Sequence, residues 1–147
     1  MSKVIKIGIS LVAGDKITEV DSVEAVAGKG LKSDRFYKND NNKKSQITII
    51  EKENIDDLNK LTNSYIPYQN FRRNIITEGV KLNNLLNKEI MIGNVKLKAH
   101  DLCQPCKYLQ DILKKENLVK YLLNKGGLRC EILTSADIKI GDEIKVL

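Results

Sequence analysis

The densest group of chemically capable side chains in the sequence is His100-Asp101-Leu102-Cys103-Gln104-Pro105-Cys106, where a strand-like alternation gives way to a helical pattern. Three readings fit it. Cys103, Cys106 and the one histidine of the chain could supply three zinc ligands, with Cys130 the remaining cysteine for a fourth. Free cysteines also serve as small, inert core residues. In the third reading Cys106 is a reactive thiol. Proline suits the first position of a helix, so Cys106 would fall in the first turn, where unpaired N–H groups and the positive dipole end stabilise a thiolate and lower its pKa. Cys103, three residues earlier, would then act as its resolving partner.

A second group is cationic. Of the 25 basic residues only four are arginines, confined to Arg35, the pair Arg72 and Arg73, and Arg129. In a chain otherwise rich in lysine, arginine marks places that need a planar, permanently charged fork, the geometry that grips phosphate or carboxylate. Each arginine also has a suggestive neighbour. Arg35 follows Asp34, which could equally form a local salt bridge, and lies just beyond Gly28-Lys29-Gly30, a glycine turn too short for a nucleotide-binding fingerprint. Arg72, Arg73 and Asn74 lie between Phe71 and Ile75, so that in a strand two of the three would share a face. Arg129 follows Gly126-Gly127-Leu128 at a helix-to-strand passage, where backbone N–H groups can meet an anion.

The elements that must hold these groups read as short strands. From Val4 to Val12, Ile5, Ile7, Ile9 and Leu11 occupy every second position, the period of a half-buried strand. A second run, Val23 to Ala27, stops at Gly28, and residues 28–40 read as a loop. QITII at 46–50 predicts a buried strand entering an amphipathic helix over 51–61, with Ile55, Leu58 and Leu61 on one face. Gly93-Asn94 separates two alternating runs and predicts a tight hairpin; Gly141-Asp142 repeats the device and predicts a second hairpin closing the chain. Between them Pro105 to Leu123 reads as the main helix, stopped by Gly126-Gly127. Seven or eight strands with a few inserted helices and no repeated βαβ alternation predict a mainly β, mostly antiparallel, barrel-like single domain over residues 1–147.

Composition narrows the function. The formal charge of +6 invites a nucleic-acid reading, but the lysines are scattered and five tyrosines, two phenylalanines and no tryptophan supply few stacking platforms, so a small RNA-binding barrel is disfavoured. No apolar stretch reaches the length of a membrane helix, and MSKVIKIGIS alternates instead of forming a signal-peptide core. A cytoplasmic setting with reduced thiols is expected.

The ordered series GKGLKSDR, QITII before a helix, RRNIITEGVKLNNL, IGNVKLKAHDLCQPC, GGLRCEIL and IKIGDEIKV resembles the MOSC domain, named after the C-terminal part of molybdenum cofactor sulfurase, over nearly the whole chain from Val4 to Val146. The resemblance implies a β-barrel-like fold and a reactive cysteine at Cys106, which transfers sulfur or ligates the molybdenum of a pterin cofactor (molybdopterin). It implies that Lys29, Asp34, Arg35, Arg72, Arg73, Asn74 and Arg129 hold the anionic part of that ligand. A sulfur-donor protein or a molybdoenzyme is the implied partner. As an enzyme the chain would perform sulfur transfer, C–S bond cleavage or molybdenum-dependent reduction through Cys106. A metal-free, cysteine-dependent enzyme acting on a small thio-compound is the alternative. Where many relatives have histidine after the Asp-Arg step this chain has Phe36, which puts a proton-transfer role there in doubt.

Overall fold

The structure, a computed structural model, describes residues 2–12, 17–103 and 125–147. Two sheets carry the fold. The larger has the order β11-β7-β8-β9-β5-β6-β1-β2, the smaller the order β10-β3-β4. The strands are β1 (Lys3–Ile9), β2 (Thr18–Val20), β3 (Ser22–Val26), β4 (Gly30–Leu31), β5 (Ile47–Glu51), β6 (Ile75–Glu78), β7 (Glu89–Ile92), β8 (Val95–Leu102), β9 (Leu128–Ile132), β10 (Ala136–Lys139) and β11 (Ile144–Val146). The expected mainly β, barrel-like architecture is found. Neighbouring strands run antiparallel except β5 and β6, which are parallel and joined through helix α1 (Lys52–Thr62).

The eight-stranded sheet curls because its two ends meet. The Val4 amide donates to Asp142 O at 2.9 Å, Gly141 N donates back to Val4 O at 2.8 Å, and Ile144 N donates to Ser2 O at 3.1 Å. The result is a half-barrel around a core that includes Val4, Ile7, Ile47, Ile49, Leu97, Leu128 and Cys130.

Strand β5 is buried on both faces, which fits its unbroken β-branched run. Ile47 and Ile49 enter the main core, whereas Ile50 packs with Ile55, Leu58, Phe71 and Ile76 beneath α1. Helix α1 stops where Asn63 turns left-handed (φ 52°) and its N–H bonds back to Asn59 O and Lys60 O.

Three expectations are corrected. Ile55 and Leu58 are buried, but Leu61 is 67% exposed, because three-residue steps drift off a face of period 3.6 by the last turn. In β1 a register shift between Val4 and Lys6 breaks the two-residue period, so Val4 and Ile7 point into the main core while Ile5 packs on the α1 side and Leu11 is 75% exposed. Gly93-Asn94 does join β7 to β8 as a hairpin, with Ile92 opposite Val95. Gly141-Asp142 does not: β10 pairs with β3 and β11 with β7, so this turn hands the chain from one sheet to the other. FRRNIITEG, read as a strand or a loop-to-strand passage, is the latter: Arg72 closes a 3-10 turn over Tyr68–Phe71 in the left-handed region (φ 62°), and the strand begins at Ile75. The expected helix from Pro105 to Leu123 lies outside the described residues.

Candidate functional site

The β8–β9 ladder ends where the candidate residues gather. Ala99 faces Cys130, Asp101 faces Arg129 and Leu102 faces Leu128, with a register shift between Ala99 and Asp101. One further bond, Cys103 N to Gly127 O at 2.7 Å, extends the pairing. The glycine pair permits this closure. A β-carbon on Gly126 would run into the Cys103 carbonyl and one on Gly127 into the Ile49 carbonyl, and Gly127 also has φ +100°.

Around this point two loops and strand β9 deliver the arginines. Asp34 is buried and anchors the first: its Oδ1 accepts from Ser10 N at 3.0 Å and from Arg35 Nη1 at 3.2 Å, and its Oδ2 accepts from Phe36 N at 3.4 Å. Arg35 Nη2 reaches the Arg72 carbonyl at 3.4 Å, and the guanidinium lies over the Phe36 ring at 4.5 Å. Burial lowers the Arg35 pKa, opposed by Asp34 and reinforced by the positive charges of Arg72 and Arg73, so these three arginines share one electrostatic neighbourhood. Arg73 Nε donates to Gly126 O at 3.0 Å. Arg129 makes a long contact from Nη1 to Lys44 O at 3.5 Å, while Lys44 pairs with Asp101 at 3.4 Å. The Leu102 amide, Lys44 and Arg129 hold the Asp101 carboxyl below its ordinary range.

Cys103 is within the field of two of these arginines. Burial raises its thiol pKa, Arg73 and Arg129 pull it down and Asp101 pushes it up, with burial the largest effect. The thiol is therefore protonated at neutral pH. Cys130, wholly buried, is pushed far up by desolvation and is a core residue. The register sets Cys130 opposite Ala99 and Cys103 opposite Gly127, three steps along the ladder, too far for a disulfide without movement of the backbone.

The structure thus brings together Arg35, Arg72, Arg73, Arg129 and Cys103, with Asp34 beneath them. Asn74 is adjacent, but its side chain ties strands together: Oδ1 accepts from Thr48 N at 3.1 Å and Thr48 Oγ1 at 3.2 Å, and Nδ2 donates to Gly8 O at 3.1 Å. Lys29 lies in the β3–β4 turn, where its carbonyl accepts from Asn41 Nδ2, and no described hydrogen bond or ion pair links its ammonium to the arginines. Cys106 lies outside the described residues. For the zinc reading, His100 Nε2 contacts Glu131 Oε1 at 2.8 Å, and Glu131 alternates with inward-facing Cys130, so histidine and cysteine project from opposite faces. Among the described residues no group of three or more His, Cys, Asp or Glu side chains could hold a metal. The donor set that is present fits the anionic end of a ligand. Ser10, Lys44 and Gln46 were not singled out in the sequence, and no local signal marks them. Their bonds to Asp34, Asp101 and the β9 amide of Ile132 are all long-range.

Comparison with known proteins gives a consistent picture. The sequence model of the MOSC domain matches residues 34–145. The fold is similar to that of the YuaD protein from Bacillus subtilis (TM-score 0.85, 17% identity, 99% of this chain and 96% of that one). It is also similar to YiiM from Geobacillus stearothermophilus (TM-score 0.80, 16% identity, 100% and 75%) and YiiM from Escherichia coli (TM-score 0.71, 12% identity, 97% and 70%). No curated protein matches the sequence. Among the described residues no helix is long and apolar enough to cross a membrane.

Proposed function

The chain belongs to the MOSC domain family, and from that premise we propose that it handles sulfur in molybdenum-cofactor chemistry, with Cys106 as the reactive thiol and Arg35, Arg72, Arg73 and Arg129 as the wall of an anion pocket. The observation that carries the reading is the meeting of Arg73 and Arg129 at Cys103, at the end of the β8–β9 ladder, with Arg35 and Arg72 in the same electrostatic neighbourhood as Arg73 and the buried carboxylate Asp34 paired to Arg35. Three peptide units keep the Cys106 Cα within about 11 Å of that of Cys103. A Cys106 thiolate would be favoured to the extent that the arginine charges reach it.

The sulfur step balances without an external oxidant. The Cys106 thiolate attacks the outer sulfur of a persulfide on a donor protein, the S–S bond of the donor breaks, and the donor leaves as a thiolate while Cys106 becomes the persulfide. The guanidinium groups stabilise the anionic product. The molybdenum cofactor, when bound, supplies a redox-active metal. Cys106 is the thiolate available to ligate it, and Arg72, Arg73 and Arg129 would hold its anionic end. Cys103, protonated, is a reserve thiol and not the attacking one.

The test is Cys106→Ser in the full chain, exposed to a persulfide donor and, separately, to molybdenum cofactor. Loss of trapped persulfide and of retained molybdenum is expected. Retention of both at the wild-type level overturns the assignment.

A further inference from the structure

The guanidinium of Arg35 is enclosed by its surroundings. Its side chain keeps only 8% of its surface exposed and the carboxylate beneath it 1%. Nη1 is bonded to Asp34 Oδ1, Nη2 points to the Arg72 carbonyl, and a face of the fork is covered by the Phe36 ring. The backbone of Arg35 is fixed as well, its N–H donating to Ser10 O at 2.6 Å, while Ser10 N donates to the same Asp34 oxygen that holds the fork. A guanidinium enclosed on two edges and a face has little left with which to meet a ligand.

What it holds is informative. Arg72 is a non-glycine residue in left-handed conformation (φ 62°, ψ 28°), a state that persists where the surroundings fix it. Its N–H is bonded to Gln69 O at 3.0 Å and its carbonyl receives Arg35. That peptide sets the directions in which the Arg72 and Arg73 side chains leave the backbone, and Arg73 goes directly to Gly126 O.

We infer that Arg35 is a positioning residue: with Asp34 as its anchor it braces the Arg72 carbonyl and so aims Arg72 and Arg73 into the anion pocket, without itself gripping the anion. This rests on the pocket reading above. The inference and the pocket separate experimentally, because a gripping and a bracing arginine respond oppositely to loss of Asp34.

The full chain is titrated with inorganic phosphate while the arginine Nε–Hε resonances are followed by NMR. Shifts at Arg72, Arg73 and Arg129 with none at Arg35 are expected; a shift at Arg35 comparable to theirs overturns the inference. Asp34→Asn removes the negative charge that holds the fork and loosens it, so a gripping Arg35 would bind phosphate more tightly. Bracing predicts about tenfold weaker binding, the loss of a charge-assisted contact. Should Asp34→Asn fail to fold, Arg35→Lys decides. It keeps the charge but cannot span a carboxylate and a carbonyl, so phosphate binding falls by a similar factor and the Arg72 carbonyl carbon resonance moves. An unmoved Arg72 resonance overturns the brace. Phosphate binding that is absent in the wild type, or unchanged in Arg72→Gln, Arg73→Gln and Arg129→Gln, sinks the pocket instead, and the Arg72 resonance in Arg35→Lys still judges the brace.

Discussion

Cys103 and Cys130 belong to the same antiparallel pair of strands, three steps apart, and neither exposes any surface. Cys130 lies in the middle of the ladder between Ala99 and Ile47, with apolar side chains around it. Cys103 lies at its end, where two guanidinium groups and a carboxylate act on it through a thin layer of protein. The difference teaches that solvent exposure does not separate a packing thiol from one in a chemical setting. What separates them is whether loops from elsewhere in the chain bring charge to that point of the sheet.

The sharpest way to break the comparison is to open the ladder end. Gly127→Ala places a β-carbon against the Ile49 carbonyl at φ +100°, and a loss of about 4 kcal/mol in unfolding free energy is expected by denaturant titration. A loss below about 1 kcal/mol would mean that the close approach is not required. Next, serine at the two thiols should divide them. Cys130→Ser buries a hydroxyl among apolar groups and should cost about 2 kcal/mol, whereas Cys103→Ser, beside charged groups, should cost about half as much. Equal losses would erase the distinction drawn here.

A smaller effect sharpens the electrostatic side. Arg129→Gln removes a cation that lowers the Cys103 thiol, so its titration, followed by the Cys103 Cβ resonance, should move to higher pH while that of Cys130 stays put. The smallest effect concerns Asp101, which is solvent-exposed. Its folded pKa is depressed, so its contribution to stability is present above the ordinary aspartate value and is lost as pH falls through the depressed one. Asp101→Asn should therefore lower the melting temperature slightly at neutral pH and leave the low-pH end unchanged, which flattens the acid limb of the profile. A change confined to low pH would contradict the assignment.

The contrast between the two hairpin signals explains what could be read in advance. Gly93-Asn94 joins strands that pair with each other, so a local motif suffices. Gly141-Asp142 carries the same turn chemistry, but its flanking strands are claimed by β3 and β7, partners that lie far away in sequence. The arginines stood out as a set by their scarcity against a lysine background, and Arg35, Arg72 and Arg73 do share one electrostatic neighbourhood. Their division of labour was not, since the brace from Arg35 to Arg72 spans 37 residues and depends on a left-handed residue that nothing in FRRN announces. The structural part of Asn74 was not legible for a related reason: it stands beside two arginines, and its bonds run to Gly8 and Thr48, far away in sequence.

The bond from Cys103 to Gly127, backed by Arg73 on Gly126, fastens the chain together at the point where residues 104–124 leave and rejoin the sheet. With the junction fastened, changing the number of residues in that stretch alters only the logarithmic entropy of closing it, a fraction of a kcal/mol for modest insertions. Such a frame lets the stretch diverge in length and content during evolution while the barrel, and the charge gathered at its mouth, remain as they are.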